Sequence, residues 1–417
     1  MNSGPIFGQS ASKRTLWIIW STASVLFTLL VGVVSWIWLP RWQPYWVIDH
    51  SPWLNPVVRA VAHELESATD PGYIYFPLSD HLERVEKWGP ACWPELTKIL
   101  DSSDTYCRLA ALHLMLRMPD GYIPSYLAPK LTQLVVHEKF PPGRRTAYLA
   151  LRKIEHLTTD QRMIAVDGVR DPDPLVRKAA VLLIGSYEEP TSDLEFTLLR
   201  TCFQDTDDEV RFCTAQRVAL LGGQTAERVK AELTEATLHD SFVDVRQQSL
   251  SALFWVIHKN QHEADEIRAR LINDKSPGMA YHTLDLLVMH YPDRMTDFVI
   301  EALDSSRPAT RWYACWLLRK NWSPILRSTL IERLTDADPW VAGQAALTLA
   351  THGDATVIEP LLRCLASKHE WGFNRDNPYA TQRLSQTKLY WSDFASAVDK
   401  LAFTDEQRQR WGNFRQP

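Results

Sequence analysis

Small and apolar residues recur along the chain in a repeated pattern centred on an arginine-like position. Eight such positions, 31 to 36 residues apart, can be aligned, namely Arg108, Arg144, Arg177, Arg211, Arg246, Ala280, Arg311 and Ala342. The residues one before, three after and seven after each position are spaced by four, so they lie on one face of a helix. The pattern therefore predicts eight amphipathic helices whose apolar faces are buried.

Two of the repeated positions keep their character in every copy. Three residues after each arginine-like position the side chain is small: Ala111, Ala147, Ala180, Thr214, Ser249, Thr283, Ala314 and Ala345. Seven residues after it the side chain is apolar: Met115, Leu151, Ile184, Val218, Leu253, Leu287, Leu318 and Leu349. Small residues in the middle of a buried face let a neighbouring helix approach closely. The sequence thus predicts helices that cross at these positions.

The starts of these helices are also predicted. A proline lies three residues before the arginine-like position in five copies, at Pro141, Pro174, Pro277, Pro308 and Pro339, where a first-turn proline loses no needed N–H. N-cap residues are expected at Asp104, Asp173, Asp207, Ser276 and Asp338. A second amphipathic segment precedes most copies, at residues 94–100, 193–203, 227–238, 263–272, 295–303 and 326–334. Each repeat is therefore predicted to be a helical hairpin.

Both ends of the array depart from the pattern. Residues 54–88 are expected to cap its N-terminal end, because a stack of repeats must cover its exposed apolar face. After a ninth leading helix at 357–365, the insertion 368–380 (KHEWGFNRDNPYA) replaces the usual short turn. Thr404 and Gln407 form the capping box of a last short helix. We assign residues 90–366 to the repeats and 367–417 to a C-terminal cap with a loop insertion.

At these residues the chain resembles the HEAT repeat, in particular the short HEAT-like repeats of phycobilin lyases. Their hallmark, Asp-x-x-x-Val-Arg-x-x-Ala, is best matched at 173–180 (DPLVRKAA) and 207–214 (DDEVRFCT). The resemblance implies an all-α fold, an α-solenoid of about eight to nine hairpins. It also implies a structural ladder between adjacent repeats, formed by Asp173, Arg177, Asp207, Arg211 and Arg246. It implies a fold and no particular activity.

The N-terminal segment has the character of a membrane anchor. Residues 15–39 carry no charge, and a helix of this length would reach about 37 Å, enough to cross a bilayer. A cleaved signal peptide or a buried core helix would also be apolar, but the stretch is longer than a usual signal core. Lys13 and Arg14 favour a cytoplasmic tail, 1–14, with the repeats on the other side of the membrane. Residues 40–89 then join the anchor to the array and include its N-terminal cap.

Charge and motifs exclude several classes of function. The formal net charge of −5 argues against a nucleic-acid partner bound through its phosphates. The sequence has no phosphate-binding loop, no nucleophile elbow and no Cys or His spacing typical of zinc, so no cofactor and no metal are expected. The six cysteines are interpreted as small core residues, although Cys92 with Cys107 and Cys202 with Cys213 could face each other within hairpins.

Candidate partner-binding residues lie at positions that the pattern places in solvent. Phe212, Tyr281 and Trp312 directly follow an arginine-like position, and Trp316 lies five residues after one. Exposed aromatic residues of this kind are typical interface anchors. Trp371 and Arg375 of the insertion are further candidates.

The sequence accordingly predicts a membrane-anchored scaffold that binds proteins through the concave surface of the solenoid. Two alternatives remain at this point. One is a ligand-binding lyase or isomerase of the phycobilin-lyase type. The other is a structural subunit whose anchor packs inside a larger membrane complex.

Overall fold

The computed structural model describes residues 54–67, 89–118, 123–184, 192–379 and 388–415. It divides into two compact units, with the boundary between residues 191 and 192. The predicted membrane segment, 15–39, lies outside the described residues. Among the helices that are described, none has the length and apolar character needed to cross a membrane.

Unit 1 contains three helical hairpins preceded by one further helix. Its helices are α1 (Leu54–Ser67), α2 (Trp93–Ile99), α3 (Thr105–Leu116), α4 (Ala128–His137), α5 (Pro141–Arg152), α6 (Thr159–Met163), α7 (Ala165–Gly168) and α8 (Pro174–Leu183). The second helices of the hairpins, α3, α5 and α8, pack against one another in sequence order, and α1 packs against α3. The repeats of this unit therefore stack through their second helices.

Unit 2 contains five hairpins followed by a leading helix and two short C-terminal helices. Its helices are α9 (Asp193–Cys202), α10 (Asp208–Leu221), α11 (Gly223–Arg228), α12 (Lys230–His239), α13 (Val243–Ile257), α14 (Gln261–Leu271), α15 (Pro277–His290), α16 (Met295–Leu303), α17 (Pro308–Lys320), α18 (Arg327–Glu332), α19 (Pro339–His352), α20 (Ala355–Ala366), α21 (Trp391–Val398) and α22 (Asp405–Gly412). The second helices α10, α13, α15, α17 and α19 again pack in sequence order.

Short 3₁₀ turns complete the secondary structure at Gly89–Cys92, Ser125–Leu127, Pro292–Arg294, Pro324–Leu326 and Arg333–Thr335. Extended pairing within the described ranges amounts to two isolated bridges, Phe373 with Leu389 and Asp376 with Lys388. The prediction of an all-helical fold of stacked hairpins is confirmed for this part of the chain.

The predicted helix starts are found where the sequence places them. All five prolines are the first residue of a helix, at the starts of α5, α8, α15, α17 and α19. The Asp104, Asp173, Asp207 and Asp338 carboxylates accept hydrogen bonds from backbone N–H groups of the first turn. Ser276 occupies the N-cap position of α15 as expected, but its hydroxyl accepts no hydrogen bond from the first turn. Thr404 and Gln407 form the expected capping box of α22.

The buried face of each second helix is also the predicted one. The eight small residues that lie three positions after the arginine-like residue are all buried. The eight apolar residues that lie seven positions after it are buried as well. Gly168 shows how close the helices come, since a Cβ at this position would lie 2.5 Å from the Cβ of Ala180. All six cysteines are free, and five of them are buried, which agrees with their interpretation as small core residues. Burial raises the pKa of the partly exposed Cys107 to about 11.

Arginine and carboxylate side chains form a ladder between consecutive hairpins. Within unit 1, Arg108 pairs with Glu138 and Arg144 with Asp171. Within unit 2 the pairs are Arg211 with Asp240, Arg246 with Asp274, and Arg311 with Asp336. Each of these arginines also donates to the carbonyl oxygen six residues before it. Every rung thus ties a second helix to its own entry turn and to the next hairpin.

The carboxylates of the ladder differ from the predicted ones. We expected Asp173 and Asp207 to pair with arginines, but both carboxylates are occupied as N-caps. The acid of each rung lies two residues before the N-cap residue. Its carboxylate accepts a hydrogen bond from the backbone N–H of that N-cap residue, as Asp171 does from Asp173 and Asp240 from Phe242. A side chain held in this turn points towards the preceding repeat, whereas the N-cap points into its own helix.

Two repeats carry alanine, Ala280 or Ala342, at the arginine-like position and therefore lack a ladder arginine. Different residues occupy the place of the missing ion pair in each. After Ala280, the next turn carries Ser305 instead of an acid, and its hydroxyl accepts the N–H of Arg307 at 3.1 Å. At Ala342, the imidazole Nε2 of His369 lies 3.1 Å from the carbonyl oxygen of Asp336, the atom that an arginine at 342 would contact. His369 belongs to the insertion, which therefore takes over the structural role of the missing guanidinium.

Candidate binding groove

A groove runs along the second helices of unit 2. Its volume is about 1160 Å³, and it is lined by side chains of α10, α13, α15 and α17 together with the end of the insertion. The residues that decide its chemistry are Phe212, Asp244, Gln247, Gln248, Tyr281, His282, Asp285, Val288, Met289, Tyr313, Trp316, Lys320, Asn321 and Tyr379. Cavities of this size accommodate small molecules or short peptide segments.

Three stacked aromatic rings form one wall of the groove. The ring centroids of Tyr281 and Tyr313 are 4.2 Å apart at an interplanar angle of 17°, and those of Tyr313 and Trp316 are 5.2 Å apart at 19°. Tyr281 is buried at one end of the stack, and Trp316 is half-buried at the other end. The ammonium group of Lys320 lies 4.5 Å from the centroid of the Trp316 ring. The outermost ring is thus held in place and already carries a cation on its face.

Hydrogen bonds fix the polar groups beside this stack. The hydroxyl of Tyr313 donates to Oδ1 of Asp285 at 2.5 Å, and Asp285 itself is exposed. The hydroxyl of Ser251 lies 2.7 Å from Nε2 of the buried His282. Burial raises the pKa of Tyr281, and the proximity of Tyr379 raises it further. Tyr281 is therefore a neutral hydrogen-bonding group at physiological pH.

The insertion covers one end of this row of helices. Gly372 donates its N–H to the carbonyl of Pro339 at 2.7 Å and lies so close to Trp340 that a Cβ would approach its Cγ to 2.8 Å. Tyr379 donates its hydroxyl to Oδ2 of Asp338 at 2.5 Å, and its carbonyl accepts the hydroxyl of Tyr281 at 3.2 Å. Burial, followed by the Asp338 carboxylate, raises the pKa of Tyr379.

Comparison with known proteins agrees with this architecture. The model of HEAT repeats matches residues 163–253 and 296–374. These two segments are HEAT repeats. The first matched segment includes Phe212, Gln247 and Gln248 of the groove, and the second includes Tyr313, Trp316 and Lys320. No curated protein matches the chain.

The solved structures that match the chain share little sequence with it. A chain of a homology model of the AP-3 complex is 14% identical, with a TM-score of 0.49, and the match covers 76% of this chain and 62% of that one. The Escherichia coli protein YibA is 16% identical over 76% of this chain and 94% of its own, with a TM-score of 0.35. An engineered protein is 13% identical over 88% of this chain and 95% of its own, with a TM-score of 0.39. The chain therefore spans less than two thirds of the AP-3 chain that it matches.

Two of the predicted interface residues are not exposed. Trp312 has an exposed fraction of 0% and Tyr281 of 4%, so the prediction that these rings face solvent is wrong. Trp312 is enclosed by Tyr281 and by Tyr379, whose ring centroids lie 6.2 and 6.3 Å from its own. Because Tyr379 comes from the insertion, the repeat pattern gave no sign that this position would be covered.

The other predicted site residues fall into two groups. Phe212 and Trp316 are partly exposed and both line the groove. Trp371 is buried against Phe394 and donates Nε1–H to the carbonyl of Leu334 at 3.2 Å, so it belongs to the C-terminal core. Arg375 is exposed and pairs with Glu370 within the insertion, outside the lining of the groove.

Sequence reasoning missed four residues that shape the groove: Tyr313, Asp285, Lys320 and Tyr379. Asp285 lies five residues after Ala280, and Lys320 nine after Arg311, so both continue the helical face that contains Trp316. Asp285 shares the register of Trp316, and extending that face by one turn would have found Lys320 as well. Tyr313 lies at a different register and Tyr379 in the insertion, and neither has a signal in the repeat.

The described residues of the groove include no candidate metal centre. Within the residue ranges given above, no group of three or more His, Cys, Asp or Glu side chains is arranged to hold a metal ion. What the groove offers is an aromatic wall, amide and carboxylate groups, and an apolar edge. Such an arrangement is suited to binding.

Proposed function

We propose that this protein is a membrane-anchored HEAT-repeat adaptor that holds a protein partner in the groove of unit 2. The observation that carries the proposal is the position of Trp316, a half-buried indole at the outer end of a stack whose inner rings are fixed. Tryptophan and tyrosine dominate the binding energy of many protein interfaces. A ring that is already held loses little conformational freedom when a partner binds, which favours affinity.

The polar lining supports a peptide-like partner. Gln247 and Gln248 place side-chain amides along the groove, and each amide group can both donate to and accept from a polypeptide backbone. The exposed side chain of Met289 adds an apolar edge. Aromatic, amide and thioether groups together are typical of interfaces that bind protein segments.

The anchor part of the proposal rests on the sequence. Residues 15–39 would span the bilayer, residues 1–14 would form a cytoplasmic tail, and residues 40–89 would lead into the array. The repeats, 90–366, and the C-terminal cap, 367–417, would then lie outside the cytoplasm. Anchoring would confine the groove to the neighbourhood of the bilayer and raise the effective concentration of a membrane partner.

The proposal assigns the protein no catalytic role, no cofactor and no nucleic-acid partner. HEAT repeats occur in general as non-catalytic modules, and a mildly acidic chain is poorly suited to bind phosphates. The alternative is a structural subunit that its membrane helix holds in a larger complex. Affinity purification distinguishes this alternative from an adaptor that binds its partner in the groove.

Membrane extraction tests the anchor. Full-length protein should stay with the membrane fraction after a carbonate wash, and a version lacking residues 1–40 should be released. Release of the full-length protein by salt alone would refute the anchor. Protease added outside intact cells or spheroplasts should digest the repeats if the proposed orientation holds, and full protection until lysis would reverse it.

Affinity purification tests the groove. Partners recovered with the full-length protein should also be recovered with a version that starts at Ser51, and they should be lost with Trp316→Ala. Trp255→Ala is the matched control, because Trp255 has an exposed fraction of 50% and lies outside the groove lining. If recovery of the partners requires residues 1–50 but is unchanged by Trp316→Ala, the protein is instead a subunit held by its membrane helix.

A further inference from the structure

The face of Trp316 shows which chemical group the groove accepts. The ammonium of Lys320 lies 4.5 Å from the centroid of this ring, within the range of a cation–π interaction. Lys320 is exposed and is the last residue of α17, so its side chain can leave the ring without disturbing the core. The ammonium of Lys320 therefore shows that a cation is stabilised on this face of the Trp316 ring.

The charges around this position favour a cation for a second reason. Among the described residues that line the groove, Asp244 and Asp285 carry carboxylates and Lys320 carries an ammonium group. Asp285 accepts a hydrogen bond from Tyr313, the ring that stacks on Trp316, so its carboxylate is tied to the same wall. The carboxylates among the described lining residues thus lie close to the cation position on the ring face.

The helix ends add to this preference. Met289 and Lys320 line the groove at the last turns of α15 and α17, where the backbone carbonyl groups carry partial negative charge. Val288, Met289 and Leu317 lie in the same lining and offer apolar surface. A lysine or arginine side chain needs both features, since its stem packs on apolar groups while its charged end remains near polar ones.

We propose that the groove selects a protein segment that carries a basic side chain, and that its cation replaces Lys320 on the face of Trp316 beside Asp285. This inference rests on the proposed function and names the chemistry of its partner. Lys320 then acts as an internal competitor that holds the ring face until a basic segment arrives.

Selection from a peptide library tests the chemistry without knowledge of the natural partner. A displayed library of random peptides is selected on detergent-solubilised full-length protein, and binders retained by Trp316→Ala are removed. The remaining peptides should be enriched in lysine or arginine relative to the starting library. Enrichment without basic residues would overturn this inference and leave the groove as a binding site. A library that yields no Trp316-dependent peptide would overturn both.

Variants of the groove test the mechanism with one enriched peptide. Trp316→Leu, which keeps an apolar side chain but removes the aromatic face, should weaken binding about fivefold. Asp285→Asn should also weaken it. Lys320→Ala should strengthen binding several-fold, because the competing ammonium is gone. Thermal melts of each variant check that the fold is retained.

Lys259→Ala is the matched control for Lys320→Ala. Lys259 is exposed and lies outside the groove lining, and its removal changes the net charge of the protein by the same amount. Strengthening with Lys320→Ala but not with Lys259→Ala is the expected result. Equal strengthening by both variants, or weaker binding by Lys320→Ala, would show that Lys320 does not compete for the ring and would overturn the inference.

Discussion

Arg311 and Asp336 join two consecutive hairpins through a bidentate ion pair. Nε and Nη2 of Arg311 each donate to one carboxylate oxygen of Asp336, both at 2.8 Å. The Asp336 side chain has an exposed fraction of only 3%. Nη1 of Arg311 donates to the carbonyl of Ser305 at 2.8 Å, so the same guanidinium also holds the turn before its own helix. Arg211 and Asp240 form a second bidentate rung of the same kind in unit 2.

Removal of one partner from this rung is expected to destabilise unit 2. Arg311→Met keeps the aliphatic stem but removes both charged hydrogen bonds to the buried carboxylate, which should lower the free energy of unfolding by about 3 kcal/mol. The longer contact of Asp336 with Arg333, at 3.9 Å, would remain. Arg307→Met is the control, because Arg307 is exposed and should change stability by less than about 0.5 kcal/mol. Urea denaturation followed by circular dichroism measures both. Equal midpoints for the two variants would show that the rung contributes nothing.

The same rung predicts how stability depends on pH. Burial by itself raises the pKa of Asp336, but hydrogen bonds from Arg311 and from the backbone of Asp338 outweigh it, and the net pKa is lowered. A carboxyl whose pKa is lower in the folded state stabilises the fold above its unfolded pKa of about 3.9, and this stability is lost as pH falls through the folded value.

Asp336→Asn should therefore remove part of the loss of stability seen in acid. Urea midpoints measured between about pH 6 and pH 3 should fall less steeply for Asp336→Asn than for the unchanged protein. The variant should be less stable at pH 6, because an amide cannot form the ion pair. Parallel pH profiles for the two proteins would mean that Asp336 has the same pKa in both states.

The two tryptophans that follow the arginine-like position of α17 should behave differently when truncated. Trp312→Ala removes a fully buried ring and should lower the free energy of unfolding by about 3 to 5 kcal/mol. Trp316→Ala removes a half-buried ring and should affect binding more than stability. Thermal melts beside a binding assay compare them. A similar decrease in melting temperature for both variants would show that Trp316 contributes to stability as a core residue does.

Overpacking tests the closest helix crossings. Ala180 in unit 1 and Ala314 in unit 2 are completely buried at the third position of the repeat. Replacement of either by leucine should destabilise its unit by about 1 to 3 kcal/mol, because neighbouring helices cannot move apart freely. Ala231→Leu, at an exposed position of α12, should be nearly neutral. A neutral result at both buried sites would contradict the packing described above.

Much of the architecture could be predicted because it is local. Prolines, N-caps and the four-residue spacing depend on neighbours within one helix, and these features place the hairpins correctly. The partner of each ladder arginine lies in the next hairpin, and sequence alone could not choose between Asp171 and Asp173. The turn decides, because Asp173 caps its own helix while Asp171 is directed at Arg144.

The groove was predicted less well because an irregular segment shapes it. Phe212 and Trp316 were found from their register, since each faces away from the buried stripe. Tyr379 reaches the row of second helices from an insertion without repeat character and covers Trp312. The repeat pattern contains no information about contacts between an insertion and a repeat. The burial of Trp312 therefore could not be predicted from the sequence.

Site-specific photo-crosslinking tests most directly the claim that the groove binds a protein partner. A photoreactive amino acid replaces Asn321, an exposed residue of the groove lining, or Glu235, an exposed residue of α12 outside it. Crosslinked partner is expected from position 321, absent from position 235, and lost when Trp316→Ala is combined with the probe at 321. Equal crosslinking from both positions, or crosslinking at 321 that persists without Trp316, would contradict the account.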